Sequence, residues 1–309
     1  MAKTLGLALS AGAARGWAHI GVLRGLAEMG MRPDIIVGTS AGALVGGAHL
    51  LDAIEEFEAW AYTLSPISAL QQFALKMRSG GFINAEAAFD AFAEFDKDFK
   101  DLPIPFGVVA CDIGTGEEVE ITTGSVLHAV RASSAIPVLM HAIEHEGRWL
   151  VDGAIVNPTP VSLARKMGAD IVLAVDLNAV PHVLERFSDQ QEPPSKQPPA
   201  AARAPLKDIP SAVTRLIEDT KRAVSDEIDK AKQRMNAQPH LFETAMAASD
   251  IVQMQIARAR NMNCPPDILL TPDMRAAMPN AFDRADEFIE IGRQSVLAHA
   301  DHLKRLLAG

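Results

Sequence analysis

Residues 34–42 read Asp-Ile-Ile-Val-Gly-Thr-Ser-Ala-Gly, an apolar run that leads directly into a turn of small residues. The run is typical of a buried strand, and Gly38-Thr39-Ser40-Ala41-Gly42 matches the G-x-S-x-G pattern of a nucleophile elbow between a strand and a helix. Small neighbours let the main chain turn sharply and present the Ser40 hydroxyl above the strand ends, where the helix dipole adds a positive field. The alternative is that Ser40 is the N-cap of an ordinary strand-to-helix turn, and the pentapeptide alone does not separate the two interpretations.

Outward from this stretch, strand-like and helix-like segments alternate over the first 180 residues. Unbroken apolar runs that alternate with helices indicate an α/β fold, a three-layer α/β/α arrangement with a central, mostly parallel sheet. We predict strands at 4–9, 34–37, 106–113, 118–123, 171–177 and 267–271. We predict helices after residue 16 (closed by Gly30), after Ser40, and at 84–95, 125–134, 159–167, 213–235, 241–260 and 283–307.

A second loop of small residues, Ser10-Ala11-Gly12-Ala13-Ala14-Arg15-Gly16, also follows a strand and opens a helix. Free N–H groups in such a loop can converge on an anion, and one use of that arrangement is an oxyanion hole. The first glycine of G-x-G-x-x-G is missing, and no Gly-Lys-Ser/Thr triplet of a P-loop occurs. A dinucleotide-binding loop with Asp34 as the ribose ligand stays open as a weaker alternative.

A third element, Asp152-Gly153-Ala154, follows the apolar run Trp149-Leu150-Val151. An aspartate at a strand end lies where α/β folds place their sites. Asp-Gly is also a common turn pair, so turn chemistry alone could explain it.

Composition excludes several function classes. The 309 residues carry a net charge of −10, which argues against nucleic acid as a partner and against electrostatic capture by anionic lipid. The two cysteines lack metal-ligand spacing, and we expect no metal and no cofactor. No run reaches the length of a membrane span, and the short apolar start reads as a strand rather than a signal, so we expect a cytoplasmic protein.

Composition also changes along the chain. Residues 181–210 are rich in proline, which predicts a flexible linker or insertion. We expect residues 4–180 to form the catalytic domain and residues 211–309 to supply helices and one strand that complete the same fold.

The three elements, in this order, resemble the patatin-like phospholipase family, and specifically its small bacterial members. The resemblance extends through Ala132-Ser133-Ser134-Ala135-Ile136-Pro137 and residues 168–172 and covers about residues 4–180. It implies that Ser40 is the nucleophile and Asp152 the base of a dyad without histidine. It implies that the N–H groups of Gly12 and Ala13, near Arg15, form the oxyanion hole, and that the reaction is hydrolysis of a lipid acyl ester. His19, in the first predicted helix, is interpreted as a packing or surface residue.

The chain departs from the family where glycines usually precede the Arg-Gly pair, because Ser10, Ala11 and Ala13 stand there. An alanine forced to positive φ costs about 1 kcal/mol or more. Two alternatives therefore stay open: a soluble carboxylesterase or thioesterase, and a weakly active or inactive homologue with a regulatory or adaptor role. Transient contact with a membrane surface and formation of a homo-oligomer also stay open.

Overall fold

The computed structural model describes residues 3–62, 89, 92–137, 140–179, 241–274 and 281–308. The proline-rich segment 181–210 and the helix predicted over 213–235 lie outside the described residues, as does most of the helix predicted over 84–95, of which Ala93–Phe95 form a 3₁₀ turn. Contacts divide the chain into one unit of residues 1–182 and 248–309 and another of residues 183–247. The first unit contains the sheet and the described helices, apart from residues 241–247 at the start of one helix.

Eight strands form one sheet: β1 Leu5–Leu9, β2 Ile35–Thr39, β3 Phe106–Asp112, β4 Glu118–Ile121, β5 Ile143–His145, β6 Arg148–Asp152, β7 Ile171–Val175 and β8 Ile268–Leu270. Each strand in the series β5-β6-β3-β2-β1-β7-β8 is hydrogen-bonded to the next one, and β4 also pairs with β3. The central pairs β3-β2-β1-β7-β8 are parallel, whereas β4, β5 and β6 join in antiparallel fashion. The mixed α/β fold with a mostly parallel sheet is confirmed.

The described helices are α1 Trp17–Glu28, α2 Ala41–Leu50, α3 Ile54–Tyr62, α4 Val126–Ser133, α5 Val161–Lys166, α6 Leu241–Asn263, α7 Ala285–Leu297 and α8 Ala300–Ala308. The strand side chains alternate between two cores on opposite faces of the sheet. Leu5, Leu7 and Leu9 enter the larger core with α1, α2, α4 and α7, whereas Ala8 enters the smaller core beneath α5. Helices therefore flank the sheet on both faces.

The single helix predicted over 283–307 is wrong, because α7 and α8 are separate helices. The break falls at residues 298–299, where no glycine or proline marks it. The His299 ring Nδ1 hydrogen-bonds the Ser295 carbonyl at 2.9 Å, and the His299 N–H donates to the Val296 carbonyl at 3.0 Å. The last turn of α7 thus tightens, and a new helix begins at Ala300.

Candidate active site

Ser40 lies at a strained turn between β2 and α2. Its φ is +53° and its ψ is −117°, a backbone conformation that residues other than glycine rarely adopt. The two glycines of the motif make this turn feasible: a Cβ on Gly38 would lie 2.5 Å from the Ala43 nitrogen, and one on Gly42 would lie 2.1 Å from the Leu9 carbonyl oxygen. The conformation is that of a nucleophile elbow.

The Ser40 hydroxyl donates a hydrogen bond to Asp152 Oδ2 at 2.6 Å. Ser40 stands at the N-cap position of α2, but its hydroxyl accepts no hydrogen bond from an N–H group of that helix, so side-chain capping does not explain this serine. Both residues are buried, with 6% and 4% of their surface exposed, and the Ser40 side chain is more enclosed than the sequence suggests. At such buried positions, electrostatic interactions are stronger than in water.

The Asp152 carboxylate has a second partner, since its Oδ1 accepts the Ala154 N–H at 2.8 Å. Asp152 therefore supports the turn with one oxygen and contacts Ser40 with the other. Burial raises the pKa of Asp152 to about 6, against the smaller lowering effect of the hydrogen bonds from Ser40 and Ala154. A carboxylate with such a pKa is ionised at neutral pH and is a better proton acceptor than an exposed aspartate.

Sheet pairing explains how Ser40 and Asp152, 112 residues apart, come together. β2 pairs with residues 106–109 of β3, and β6 pairs with residues 110–112. Because β4 occupies the opposite edge of β3 beside both of them, β2 and β6 must share one edge. Along this edge of β3, the residues paired with β6 follow directly after those paired with β2. Asp152, the last residue of β6, therefore lies next to the elbow. Gly153 is required for this approach, since a Cβ there would lie 2.2 Å from the Val109 carbonyl oxygen.

Ser133, at the end of α4, supports the elbow from the side. Its Oγ accepts the Ser40 N–H at 2.9 Å and donates to the Val109 carbonyl at 2.6 Å. The nearby Ala135 carbonyl accepts the Asp152 N–H at 2.9 Å. Nothing local in the sequence around Ser133 indicates this supporting contact.

The loop of residues 10–16 packs on the start of α2. A Cβ on Gly16 would lie 2.7 Å from the Ala41 Cβ, which places the end of the loop against the residue that follows Ser40. The Ala11 N–H donates to the Pro158 carbonyl at 2.9 Å and is therefore occupied. The N–H groups of Gly12 and Ala13 have no hydrogen-bond acceptor within the described part of the chain.

Ala13 has a φ of +49°, so the alanine adopts the left-handed conformation that the family's glycine would favour. We expect Ala13→Gly to relieve this strain, and the more flexible unfolded chain of the variant to offset part of the gain. The free energy of unfolding should rise by up to about 1 kcal/mol. Urea unfolding would measure the change. Ala14→Gly is the control, because Ala14 is the next residue of the same 3₁₀ turn, Ala13–Gly16, and has no positive φ, and we expect this variant to be less stable. A loss of stability in Ala13→Gly as large as that in Ala14→Gly would contradict the strain argument.

Other predicted residues have structural contacts. The Thr39 hydroxyl donates to the Asn157 carbonyl at 2.9 Å, and Ser10 Oγ accepts the Leu177 N–H at 3.0 Å. His19 is fully buried, its Nε2 lies 2.8 Å from the Ser10 carbonyl oxygen, and burial lowers its pKa to about 4. His19 is thus a neutral packing residue at physiological pH.

Arg15 contacts the loop from the protein interior. Its Nε donates to the Gly12 carbonyl at 3.1 Å, and its Nη2 pairs with Asp250 Oδ1 of α6 at 2.8 Å. Nothing in the sequence pattern pointed to Asp250. Among the described residues, no cluster of side chains could hold a metal ion, and no helix there has both the length and the apolar character needed to cross a membrane.

Several known proteins are similar to this chain in sequence. The sequence model of the patatin-like phospholipase family matches residues 7–165. An uncharacterized NTE family protein of Mycobacterium tuberculosis is 31% identical over 93% of this chain and 88% of its own length. Patatin-like phospholipase domain-containing protein 7 of Mus musculus is 32% identical over 57% of this chain and 14% of its own length. The lysophospholipase nte1 of Emericella nidulans is 29% identical over 58% of this chain and 12% of its own length. The chain therefore belongs to the patatin-like phospholipase family.

Proposed function

We propose that the chain is a serine acyl hydrolase that cleaves acyl esters of lysophospholipids or phospholipids with Ser40 as nucleophile and Asp152 as base. The observation that carries the proposal is the 2.6 Å hydrogen bond from the Ser40 hydroxyl, at a strained elbow, to the buried Asp152 carboxylate. Family membership and a relative named as a lysophospholipase support a lipid ester as the substrate class.

In the proposed reaction, Ser40 Oγ attacks the ester carbonyl carbon while its proton passes to Asp152 Oδ2. The N–H groups of Gly12 and Ala13 bind the carbonyl oxygen as it becomes negative. The tetrahedral intermediate collapses to an acyl-serine, and the leaving alcohol takes the proton from Asp152. A water molecule then attacks the acyl-serine with Asp152 again as base, which releases the fatty acid and restores Ser40.

The pKa of Asp152 predicts the pH dependence of this reaction. Because the ionised carboxylate is the active form, kcat/KM should fall about tenfold per pH unit below about 6 and level off above it. Initial rates on a soluble ester between pH 4.5 and 8.5, with folding checked by circular dichroism at each pH, would measure the profile. A profile that stays flat down to pH 5 in folded protein would exclude Asp152 as the base.

The direct test of the proposed function is fatty acid release from a panel of acyl esters. The panel pairs a lysophosphatidylcholine with a short-chain p-nitrophenyl ester and an acyl thioester, each incubated with the wild-type chain and with Ser40→Ala. We expect the lysophospholipid to be hydrolysed fastest and Ser40→Ala to be inactive on all three. A preference for the short ester or the thioester would favour a soluble esterase or thioesterase, and hydrolysis of none would favour the adaptor alternative.

Transient contact with a membrane surface, self-association and a cytoplasmic location stay predictions. Co-sedimentation with phosphatidylcholine vesicles and sedimentation velocity of the chain alone would measure the first two. Absence of pelleting and a single monomeric species would contradict them.

A further inference from the structure

A buried polar cluster lies behind the loop that carries the two proposed oxyanion donors. Its centre is the ion pair between Arg15 and Asp250, whose side chains are 2% and 3% exposed. Asp250 belongs to α6, which follows the proline-rich segment and is far from the loop in sequence. The cluster thus joins the loop to a late part of the chain.

The cluster binds the carbonyl oxygens of the Ala11–Gly12 and Gly12–Ala13 peptide units, whose N–H groups are the two proposed donors. The Ala11 carbonyl accepts hydrogen bonds from Asn178 Nδ2 at 3.2 Å and Ser10 Oγ at 2.9 Å. The Gly12 carbonyl accepts hydrogen bonds from Arg15 Nε and from the Arg15 N–H, both at 3.1 Å. Both peptide bonds are trans, so the N–H of each unit points away from its carbonyl. The N–H groups of these two units are those of Gly12 and Ala13, and both therefore point away from the buried polar cluster.

α6 in turn holds the two side chains that bind those carbonyls. Asp250 fixes the Arg15 guanidinium, and Gln253 Oε1 accepts a hydrogen bond from Asn178 Nδ2 at 3.0 Å. Gln253 is itself held by Ser249 Oγ, which accepts its Nε2 at 2.9 Å. Residues 250 and 253 are three apart on the helix and so lie on one face.

The ion pair is poorly built for stability alone. Within the described residues, Arg15 Nη1 and Asp250 Oδ2 are buried without a hydrogen-bond partner. A buried ion pair adds little stability unless its remaining polar atoms are satisfied, and apolar residues of similar volume often serve as well. What this pair does supply is a fixed direction for the Gly12 carbonyl.

We propose that Asp250, with support from Gln253, is a positioning residue that orients the Gly12 and Ala13 N–H groups toward the oxyanion through Arg15 and Asn178. The inference rests on the proposed function. It makes α6 a required part of the catalytic machinery, although no residue of α6 touches the substrate. Removal of the Asp250 charge should loosen the loop and lower kcat, because misdirected donors lose the extra stabilisation that they give the transition state relative to the ground-state ester.

The first experiment compares Asp250→Asn with the wild-type chain on a soluble ester and measures hydrogen exchange of the peptide that contains residues 10–16. We expect kcat to fall on the order of tenfold or more, KM to stay within about twofold, and exchange of the loop to quicken. The matched control is Asp267→Asn, which removes an ion pair with Arg165 near the start of β7. The control should keep kcat within about twofold of wild type.

A second experiment separates positioning from folding. Asp250→Leu removes the carboxylate that pairs with the buried Arg15 guanidinium, although the Asp176 charge still acts on it, and the variant should be destabilised. The double variant Arg15→Met, Asp250→Leu should regain thermal stability. We expect the double variant to keep a low kcat. Recovery of kcat together with stability would overturn the inference, as would wild-type kcat and wild-type loop exchange in Asp250→Asn. If the wild-type chain hydrolyses no ester, the proposed function fails, and loop exchange still reports whether Asp250 holds the loop.

Discussion

Replacing Asp152 with asparagine is expected to lower kcat for ester hydrolysis by about 10²- to 10⁴-fold, the range that a positioned general base contributes. The asparagine Oδ1 can still accept the Ala154 N–H, and its Nδ2 then faces Ser40 Oγ and can donate to it, so the elbow and the turn should persist. It cannot take the serine proton as Ser40 attacks the carbonyl. Initial rates on a soluble ester would show the loss in kcat, with KM nearly unchanged.

Asp112→Asn is the matched control for this variant. Asp112 is a buried carboxylate at the end of β3, where its Oδ1 accepts the Gly114 N–H at 2.8 Å, and an asparagine oxygen can do the same. We expect its kcat to stay near that of wild type. A kcat for Asp152→Asn within tenfold of wild type would contradict the dyad.

The same variant should be more stable than wild type at alkaline pH. Asp152 has a pKa of about 6 in the folded chain against an ordinary 3.8, so the folded state binds this proton more tightly than the unfolded state does. Wild-type stability therefore falls as the pH rises from about 4 to 6, and Asp152→Asn avoids that loss. At pH 8 the gain is up to about 3 kcal/mol, at 1.36 kcal/mol per pKa unit. Urea unfolding at pH 8 and pH 4.5 should show the full gain at the higher pH and about a third of it at the lower. An equal difference at both values would contradict the raised pKa.

Replacing Gly42 with alanine is expected to remove most of the activity and about 3 kcal/mol or more of stability. The added Cβ would lie 2.1 Å from the Leu9 carbonyl oxygen and 2.5 Å from its carbon, and a central strand cannot move aside. α2 must shift away from β1, and Ser40 must shift with it. Urea unfolding and ester hydrolysis would measure both effects.

Gly47→Ala tests the same substitution later in the same helix. There the added Cβ would lie 3.0 Å from Val130 Cγ2, a side-chain atom that can yield by a few tenths of an ångström. The higher helix propensity of alanine, about 1 kcal/mol, offsets part of the cost. We expect Gly47→Ala to stay folded and active. If the two variants lose the same stability, close packing of α2 on β1 is not the reason for Gly42.

The strands at the centre of the sheet could be predicted from sequence because each is an unbroken apolar run. β5 could not, since Ile143–His145 is three residues long and partly exposed, and within the described ranges it pairs with β6 alone. The break between α7 and α8 could not be predicted either, because the signal is a side-chain contact of His299 rather than a glycine or proline.

Ser40 and Asp152 could be proposed from sequence because each lies in a short motif next to a strand. The supporting residues Ser133 and Asp250 could not be proposed, because their contacts join residues that are 93 and 235 positions apart in the sequence. No local pattern encodes such a contact. The Ser133 contact follows from the packing of α4 against β3, and the Asp250 contact follows from the packing of α6 against the loop of residues 10–16.

The most direct test of the Ser40–Asp152 pair is covalent labelling with a fluorophosphonate, which reacts only with an activated serine. Intact mass before and after incubation at pH 8, followed by peptide mapping, would identify the labelled residue. We predict one adduct, on Ser40, formed slowly or not at all in Asp152→Asn and at the wild-type rate in Asp112→Asn. A wild-type chain that stays unlabelled, or an adduct on another residue, would contradict the assignment of Ser40 as the nucleophile.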